Sequence, residues 1–146
     1  AYGMAGARIG YAIGHVDIIE AFDKVRNHYG INRIGQLGAR AALTDQSYLS
    51  AVVQKIAHAR DRIALIATQH GLRAMPSAAS FVAIDCGNDG AFAQRVLDGL
   101  IKRHVFVRKP SVPPLDRFIR ISCGRDEDLE VFEKALSGAL SDARSC

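Results

Sequence analysis

Hydrophobic side chains recur every three or four residues through the first half of the chain, a spacing typical of helices that bury one face. This pattern predicts a helix over 16–29, a shorter helix over 33–43, and a long helix that begins at Thr44 or Asp45 and ends near Gly71. The long helix keeps its apolar residues on one stripe. It could therefore join two compact parts as a spine and hinge, although the same stripe also suits the core helix of one domain.

The chain opens on a glycine-rich run, with glycines at positions 3, 6, 10 and 14. Because glycine permits tight backbone paths, we expect a loop there. Within this run, the apolar segment 9–13 predicts a short buried strand ahead of the first helix.

Beyond Gly71 the pattern changes to short apolar runs separated by amphipathic segments. The loop 109–117 between the last two of these runs contains three prolines, which cannot donate a backbone N–H to a sheet. The order β-β-α-β-β-α predicts an α/β fold in which helices cover one face of a sheet. The expected elements are strands over 72–75 and 81–85, a helix over 89–104, strands over 105–108 and 118–122, and a helix over 126–143.

Length and composition narrow the class of protein. A chain of 146 residues with 49% hydrophobic and 23% charged residues is typical of one compact domain and excludes disorder and fibrous repeats. The basic residues behind the net charge of +4 are scattered, so we expect no nucleic-acid partner. No apolar run is long enough to cross a membrane, and no signal pattern is present, so no membrane association is expected. Neither the five histidines nor the cysteines Cys86, Cys123 and Cys146 show metal-ligand spacing, so we expect no metal site and a cytoplasmic location.

Arg8 is the first candidate for chemistry, because it stands alone among small residues in the run GMAGARIGY. The glycine spacing there matches neither a dinucleotide-binding fingerprint nor a P-loop. An arginine can hold a phosphate with two parallel hydrogen bonds, and small neighbours let an anion approach the main chain. The run therefore indicates a phosphate site centred on Arg8.

Arg108 and Arg120 are the second candidate, since each interrupts or ends an apolar strand and together they flank the proline-rich loop. Buried in the core, Arg120 would need a carboxylate or an anionic ligand to neutralise it. On the opposite face of the strand it would meet water, and strand alternation alone leaves both placements open. Two arginines at strand ends could clamp a carboxylate or a phosphate.

Taken together, these segments resemble fold-type I pyridoxal-phosphate aminotransferases, particularly those like histidinol-phosphate aminotransferase. The run AYGMAGARIGY resembles the segment directly after the cofactor lysine in that family, and VDIIEAFDKVR resembles the helix that follows. Asn32 falls where the group often carries Asn, while VFVR and FIRISCG resemble its closing strands. The motifs keep the family's order along the whole chain.

The resemblance implies pyridoxal 5'-phosphate as the cofactor, Arg8 as the ligand of its phosphate, Arg120 as the ligand of the substrate's anionic group, and Arg108 as its assistant. It also implies amino-acid and 2-oxo-acid substrates and a homodimer. In the family a lysine forms a Schiff base with the cofactor, but none of the lysines at 24, 55, 102, 109 and 134 has that context. We therefore expect this lysine directly before Ala1 in a longer protein, and an inactive chain without it.

The same resemblance implies the C-terminal part of a pyridoxal-phosphate transferase fold. Residues 1–44 would end the large cofactor-binding domain, 45–71 would form the long connecting helix, and 72–146 would form a small α+β domain with a helix-covered sheet. We expect the small domain to swing on that helix and close the site.

The sequence departs from the histidinol-phosphate group at Ser80, where Asn commonly precedes Phe. The substrate, an amino acid or histidinol phosphate, therefore stays open. A decarboxylase of a phosphorylated amino acid is an alternative within the family. From another class, the second half could be a non-enzymatic regulatory module in which Arg108 and Arg120 bind an amino acid without any cofactor.

Overall fold

The computed structural model describes residues 2–145 of the chain, so Ala1, the expected neighbour of the lysine, and Cys146 lie outside the described residues. The chain divides into two compact units, Ala1–Val53 and Gln54–Cys146. The division falls inside the long helix, and each unit is described by itself below.

The first unit contains helices α1 (Val16–Val25) and α2 (Arg33–Thr44) and the beginning of α3 (Gln46–Gln69), preceded by a short 3-10 helix, Ala5–Ala7. The predicted helix over 33–43 is confirmed.

The long helix is also confirmed. The Asp45 carboxylate caps the start of α3 by accepting a hydrogen bond from the Tyr48 N–H at 3.0 Å. Gly71, with a φ of +73°, follows the end of α3. The helix predicted over 16–29 ends earlier, because the Asn27 side chain accepts a hydrogen bond from the Tyr29 N–H at 3.0 Å and favours a turn.

The strand predicted over 9–13 is wrong. This segment has no regular structure, and the described residues of the first unit contain no strand that could pair with it. Ile13 is 91% exposed and Tyr11 67% exposed, so the run is not buried either. An apolar run becomes a strand only where a neighbouring strand accepts and donates its backbone hydrogen bonds.

The second unit contains a three-stranded antiparallel sheet in the order β1-β2-β3 and two further helices. Both predicted helices and the strands over 81–85 and 118–122 are confirmed, while the strand predicted over 72–75 is only two residues long. The elements are β1 (Arg73–Ala74), β2 (Phe81–Asp85), α4 (Gly90–Lys102), β3 (Phe118–Ser122) and α5 (Asp126–Arg144).

The strand predicted over 105–108 is reduced to one bridge between Arg108 and Arg120. Pro110, two residues further on, has no N–H to continue a ladder, and Phe106 on the other side is 80% exposed. The apolar run therefore touches the edge of β3 at a single residue pair.

A single hydrophobic core joins the sheet, α4, α5 and the second half of α3. Burial alternates along β3 and along β2 as far as Ile84, so Val82, Ile84, Ile119 and Ile121 face this core. The helices α4 and α5 cross closely at Gly99, where a Cβ atom would lie 2.9 Å from Ala139. The largest fully buried side chains are Ile63, Ile66, Ile84, Val96, Leu100, Ile119, Leu129, Leu136 and Leu140.

Candidate functional site

Arg8 lies on the exposed surface of the first unit, directly after the short 3-10 helix. Its backbone is left-handed, with φ +53° and ψ +47°, a conformation that is uncommon for a residue with a side chain. The Nη1 atom donates a hydrogen bond to the Ala5 carbonyl at 3.1 Å. This bond uses one of five guanidinium N–H groups, so donors remain for an anion.

The backbone beside Arg8 is open, since a Cβ atom built at Gly6 or at Gly10 would meet nothing within 4 Å. A mostly apolar groove of about 670 Å³ lies between the opening segment and α2, but Arg8 does not line it. The predicted phosphate site is therefore an open surface at Arg8 rather than this groove.

In the second unit, Arg108 and Arg120 form a directly opposed pair. The Arg120 N–H donates to the Arg108 carbonyl at 2.7 Å, and the Arg108 N–H donates to the Arg120 carbonyl at 3.3 Å. Residues opposed in this way project from the same face of a sheet. The structure thus brings together the two arginines that sequence reasoning paired.

Both arginines line a groove of about 410 Å³ together with Ser122, Phe106 and Asp128. Within the described residues, neither makes an ion pair with a carboxylate. The Asp128 carboxylate is bonded instead to the backbone N–H and the Nε of Arg125, at 3.1 and 3.3 Å, and this guanidinium holds the pKa of Asp128 below its usual value. The groove therefore offers two guanidinium groups to an anion.

Arg120 lies on the sheet face that points away from the core, because Ile119 and Ile121 on either side of it are buried. The alternative in which Arg120 enters the core is wrong. Its side chain is half-buried and its Cζ atom lies 4.5 Å from the centre of the Phe81 ring. This cation–π contact partly shields the charge and leaves the guanidinium edge available for hydrogen bonds.

Asp85 is a buried carboxylate whose partners sequence reasoning did not identify. It is 5% exposed and accepts hydrogen bonds from the Arg117 Nε at 2.8 Å, the Gly87 N–H at 2.9 Å and the Arg73 Nη2 at 3.3 Å. Burial alone would raise the pKa of Asp85, but these hydrogen bonds and the charge of Arg117 together hold it below its usual value of 3.8. Because Arg117 ends the proline-rich loop, Asp85 fixes that loop to β2. The signal in the sequence was an acidic residue directly after four apolar strand residues.

In the described part of the chain, Cys86 and the histidines show no arrangement typical of a nucleophile or of a metal site. Burial, followed by the charge of Asp85, raises the pKa of the Cys86 thiol to about 11, so the thiol is protonated at neutral pH and is no nucleophile. His15 begins α1, and His104 follows the end of α4 with a φ of +60°. Among residues 2–145 there is no cluster of three or more histidine, cysteine or acidic side chains that could hold a metal.

None of the five lysines lies in the glycine-rich run that carries Arg8. Four lie in helices, and the fifth follows the Arg108 bridge. Within the described part of the chain, no helix combines the length and the apolar character that crossing a membrane requires.

Comparison with known proteins identifies the family of the chain. The family described as Aminotransferase class I and II matches residues 1–136. The chain belongs to this family. The predicted resemblance is thereby confirmed.

Several relatives of this aminotransferase-family chain are histidinol-phosphate aminotransferases. The one from Citrifermentans bemidjiense is 39% identical over 136 residues, and the one from Bacillus licheniformis is 36% identical over 140 residues. These alignments cover 92% and 96% of this chain and 38% of each relative. The chain therefore spans little more than a third of the length of these curated relatives.

A solved structure gives the same result for the fold. Histidinol-phosphate aminotransferase from Sinorhizobium meliloti, in complex with pyridoxal-5'-phosphate, shares 46% identity with the chain and superposes with a TM-score of 0.88. The superposition covers 99% of this chain and 39% of the other. The predicted fold class, part of a pyridoxal-phosphate transferase fold, is confirmed.

Proposed function

We propose that the full-length protein containing this chain is a pyridoxal-phosphate-dependent aminotransferase. It would transfer an amino group between an amino acid, or histidinol phosphate, and a 2-oxo acid. The observation that carries this proposal is the 46% identity and the TM-score of 0.88 to a histidinol-phosphate aminotransferase over 99% of the chain.

The residues around Arg8 fit a phosphate-bearing cofactor. The exposed guanidinium of Arg8 has donors that make no hydrogen bond, and the space over the nearby Gly6 is open. A phosphate could therefore approach both the guanidinium and the main chain. When bound, pyridoxal phosphate supplies the electron sink for amino-group transfer. In this proposal Arg8 binds and orients the cofactor through its phosphate, with help from backbone groups around Gly3 to Gly6.

The groove at Arg108 and Arg120 fits the anionic group of a substrate. Arg108 and Arg120 are opposed across the bridge and line the same groove, so their like charges repel, and an anion bound in the groove would offset that repulsion and accept hydrogen bonds from both. Arg120, fixed by the Phe81 ring, would bind the anion and Arg108 would assist it. These residues bind and orient the substrate.

Three remaining parts of the proposal rest on the family alone: a homodimer, the domain roles of residues 1–44, 45–71 and 72–146, and a catalytic lysine directly before Ala1. A cytoplasmic location rests on the spacing of the cysteines. The inactivity of this chain by itself and the swing of the small domain also stay predictions.

Cofactor binding tests the role of Arg8. In the full-length protein, Arg8→Ala should weaken the affinity for pyridoxal phosphate, measured by absorbance titration, by at least about tenfold, as expected when a charge-assisted pair is lost. Arg8→Lys should restore it only in part, because a point charge cannot form the planar double contact. Unchanged affinity in Arg8→Ala refutes the proposed role.

Product analysis tests the reaction. The full-length protein, incubated with histidinol phosphate or with common amino acids and 2-oxoglutarate, should form glutamate and the matching carbonyl product. Release of carbon dioxide instead would identify the decarboxylase alternative. Amino-acid binding by calorimetry without pyridoxal phosphate, together with no turnover, would identify the regulatory module.

A further inference from the structure

The start of α2 packs against Ala7, the residue directly before Arg8. Gly35 in the first turn of α2 is the only buried residue among residues 2–53. A Cβ atom at Gly35 would lie 3.3 Å from the Ala7 carbonyl oxygen and 3.1 Å from the Asn32 amide nitrogen. The residue before Arg8 therefore packs directly on the start of α2.

Asn32 makes two hydrogen bonds at this point. Its Oδ1 accepts from the Gly35 N–H at 2.6 Å, which caps α2. Its Nδ2 donates to the Ala7 carbonyl at 3.4 Å, across 25 residues of sequence. One side chain thus joins the helix to the glycine-rich loop.

Gly38 extends the same contact. It lies three residues after Gly35 and therefore on the same side of α2, and a Cβ atom there would lie 2.9 Å from the Met4 methyl group. Asn32, Gly35 and Gly38 therefore lie on the side of α2 that contacts Met4 and Ala7.

We infer that Asn32 is a positioning residue for Arg8 and acts through the Ala7 carbonyl. Arg8 follows Ala7 directly, so a change in the position of Ala7 moves the left-handed backbone of Arg8. The guanidinium then points in a different direction. Capping of α2 explains why the Oδ1 atom of Asn32 accepts a hydrogen bond. It does not explain why the Nδ2 atom of Asn32 donates one to the Ala7 carbonyl. The inference rests on the proposed function, in which Arg8 binds the cofactor phosphate.

Asn32→Ser separates the two bonds, because serine still caps a helix but its hydroxyl is too short to reach Ala7. In the full-length protein we expect a melting temperature lowered by no more than about 2–4 °C, because one hydrogen bond of the folded state is lost. We also expect a pyridoxal-phosphate affinity up to about fivefold weaker and faster amide hydrogen exchange in residues 4–8. Gly35→Ala should weaken binding similarly, because its methyl group would lie 3.1 Å from the Asn32 Nδ2 and 3.3 Å from the Ala7 carbonyl oxygen and so disturb the bond between them. Gly14→Ala, whose added methyl group would make only ordinary van der Waals contact with the Ile19 side chain at 3.6 Å, is the matched control and should leave affinity unchanged.

The double variant Asn32→Ser with Arg8→Ala shows whether Asn32 acts through Arg8. Its affinity should equal that of Arg8→Ala alone, because the loop then has no guanidinium to position. Asn32→Ser with affinity within twofold of wild type, or an effect that adds fully to that of Arg8→Ala, overturns the inference. If Arg8→Ala itself leaves affinity unchanged, the proposed role of Arg8 fails, and the hydrogen exchange still reports separately whether the Asn32 bond orders the loop.

Discussion

The two units carry their candidate arginines in very different surroundings. Arg120 lies on a strand whose neighbours Ile119 and Ile121 belong to a continuous core, and its guanidinium rests on an aromatic ring. Arg8 lies on a loop in a unit where, among the described residues, only Gly35 is buried.

The difference shows where the stability of each site originates. In the second unit, packing of helices against a sheet fixes the strand and therefore Arg120. In the first unit, large apolar side chains such as Val25, Tyr29 and Ile34 are more than 80% exposed, so the loop depends on a few local bonds. Substitutions in each unit test this contrast.

Truncation of one leucine in each unit tests the contrast in packing. Leu136→Ala, at a fully buried position on α5, should lower the free energy of unfolding by about 2–5 kcal/mol because it leaves a cavity. Leu37→Ala on α2, where the side chain is 68% exposed, should change it by less than about 0.5 kcal/mol. Urea unfolding of the chain provides both values. Equal losses would show that the first unit has a core of its own.

Removal of the two arginines tests the contrast in function. In the full-length protein, Arg120→Ala should reduce kcat/KM at least about 30-fold while the cofactor stays bound, because a charge-assisted contact with the substrate is lost. Arg8→Ala should weaken cofactor binding instead. Steady-state kinetics and absorbance titration separate the two effects, and a loss of less than threefold in Arg120→Ala would make Arg120 a surface charge.

The buried carboxylate of Asp85 predicts acid sensitivity of the second unit. Because the folded state holds the pKa of Asp85 below its usual value of 3.8, its contribution is complete above that pH and is lost as the pH falls further. Asp85→Asn should therefore cost about 1.5–3 kcal/mol at neutral pH and progressively less in acid. Asp61→Asn, at an exposed position on α3, is the control. A cost that does not change with pH would contradict this origin.

The helix caps give the smallest expected difference. Asp89 caps α4 by accepting a hydrogen bond from the Phe92 N–H at 2.8 Å, whereas His15 accepts from the Asp17 N–H at 3.4 Å at the start of α1. Asp89→Ala should cost about 1 kcal/mol and His15→Ala only a few tenths, as measured by thermal unfolding. A larger loss at His15 would show that the cap of α1 matters more than its geometry suggests.

Sequence alone determined the helices, both core strands and the pairing of Arg108 with Arg120. Helical periodicity depends on neighbours three or four residues away, and α5 shows this because Leu129, Phe132, Leu136 and Leu140 are all buried at intervals of three and four residues. The motifs around Arg8 and Arg120 were sufficient to indicate the family. Local spacing carries this information because the contacts that it predicts are local.

Only the tertiary structure decided the features that depend on residues distant in sequence. Segment 9–13 is apolar like a strand but has no partner among the described residues of its unit, and segment 105–108 contacts β3 through Arg108 alone. The face of β3 that carries Arg120 was undecided until the neighbours of Ile119 and Ile121 were known. The bond from Asn32 to Ala7 spans 25 residues, and those from Arg73 and Arg117 to Asp85 span 12 and 32. A local pattern cannot specify such contacts, because the partner of a side chain is chosen by packing of the folded chain.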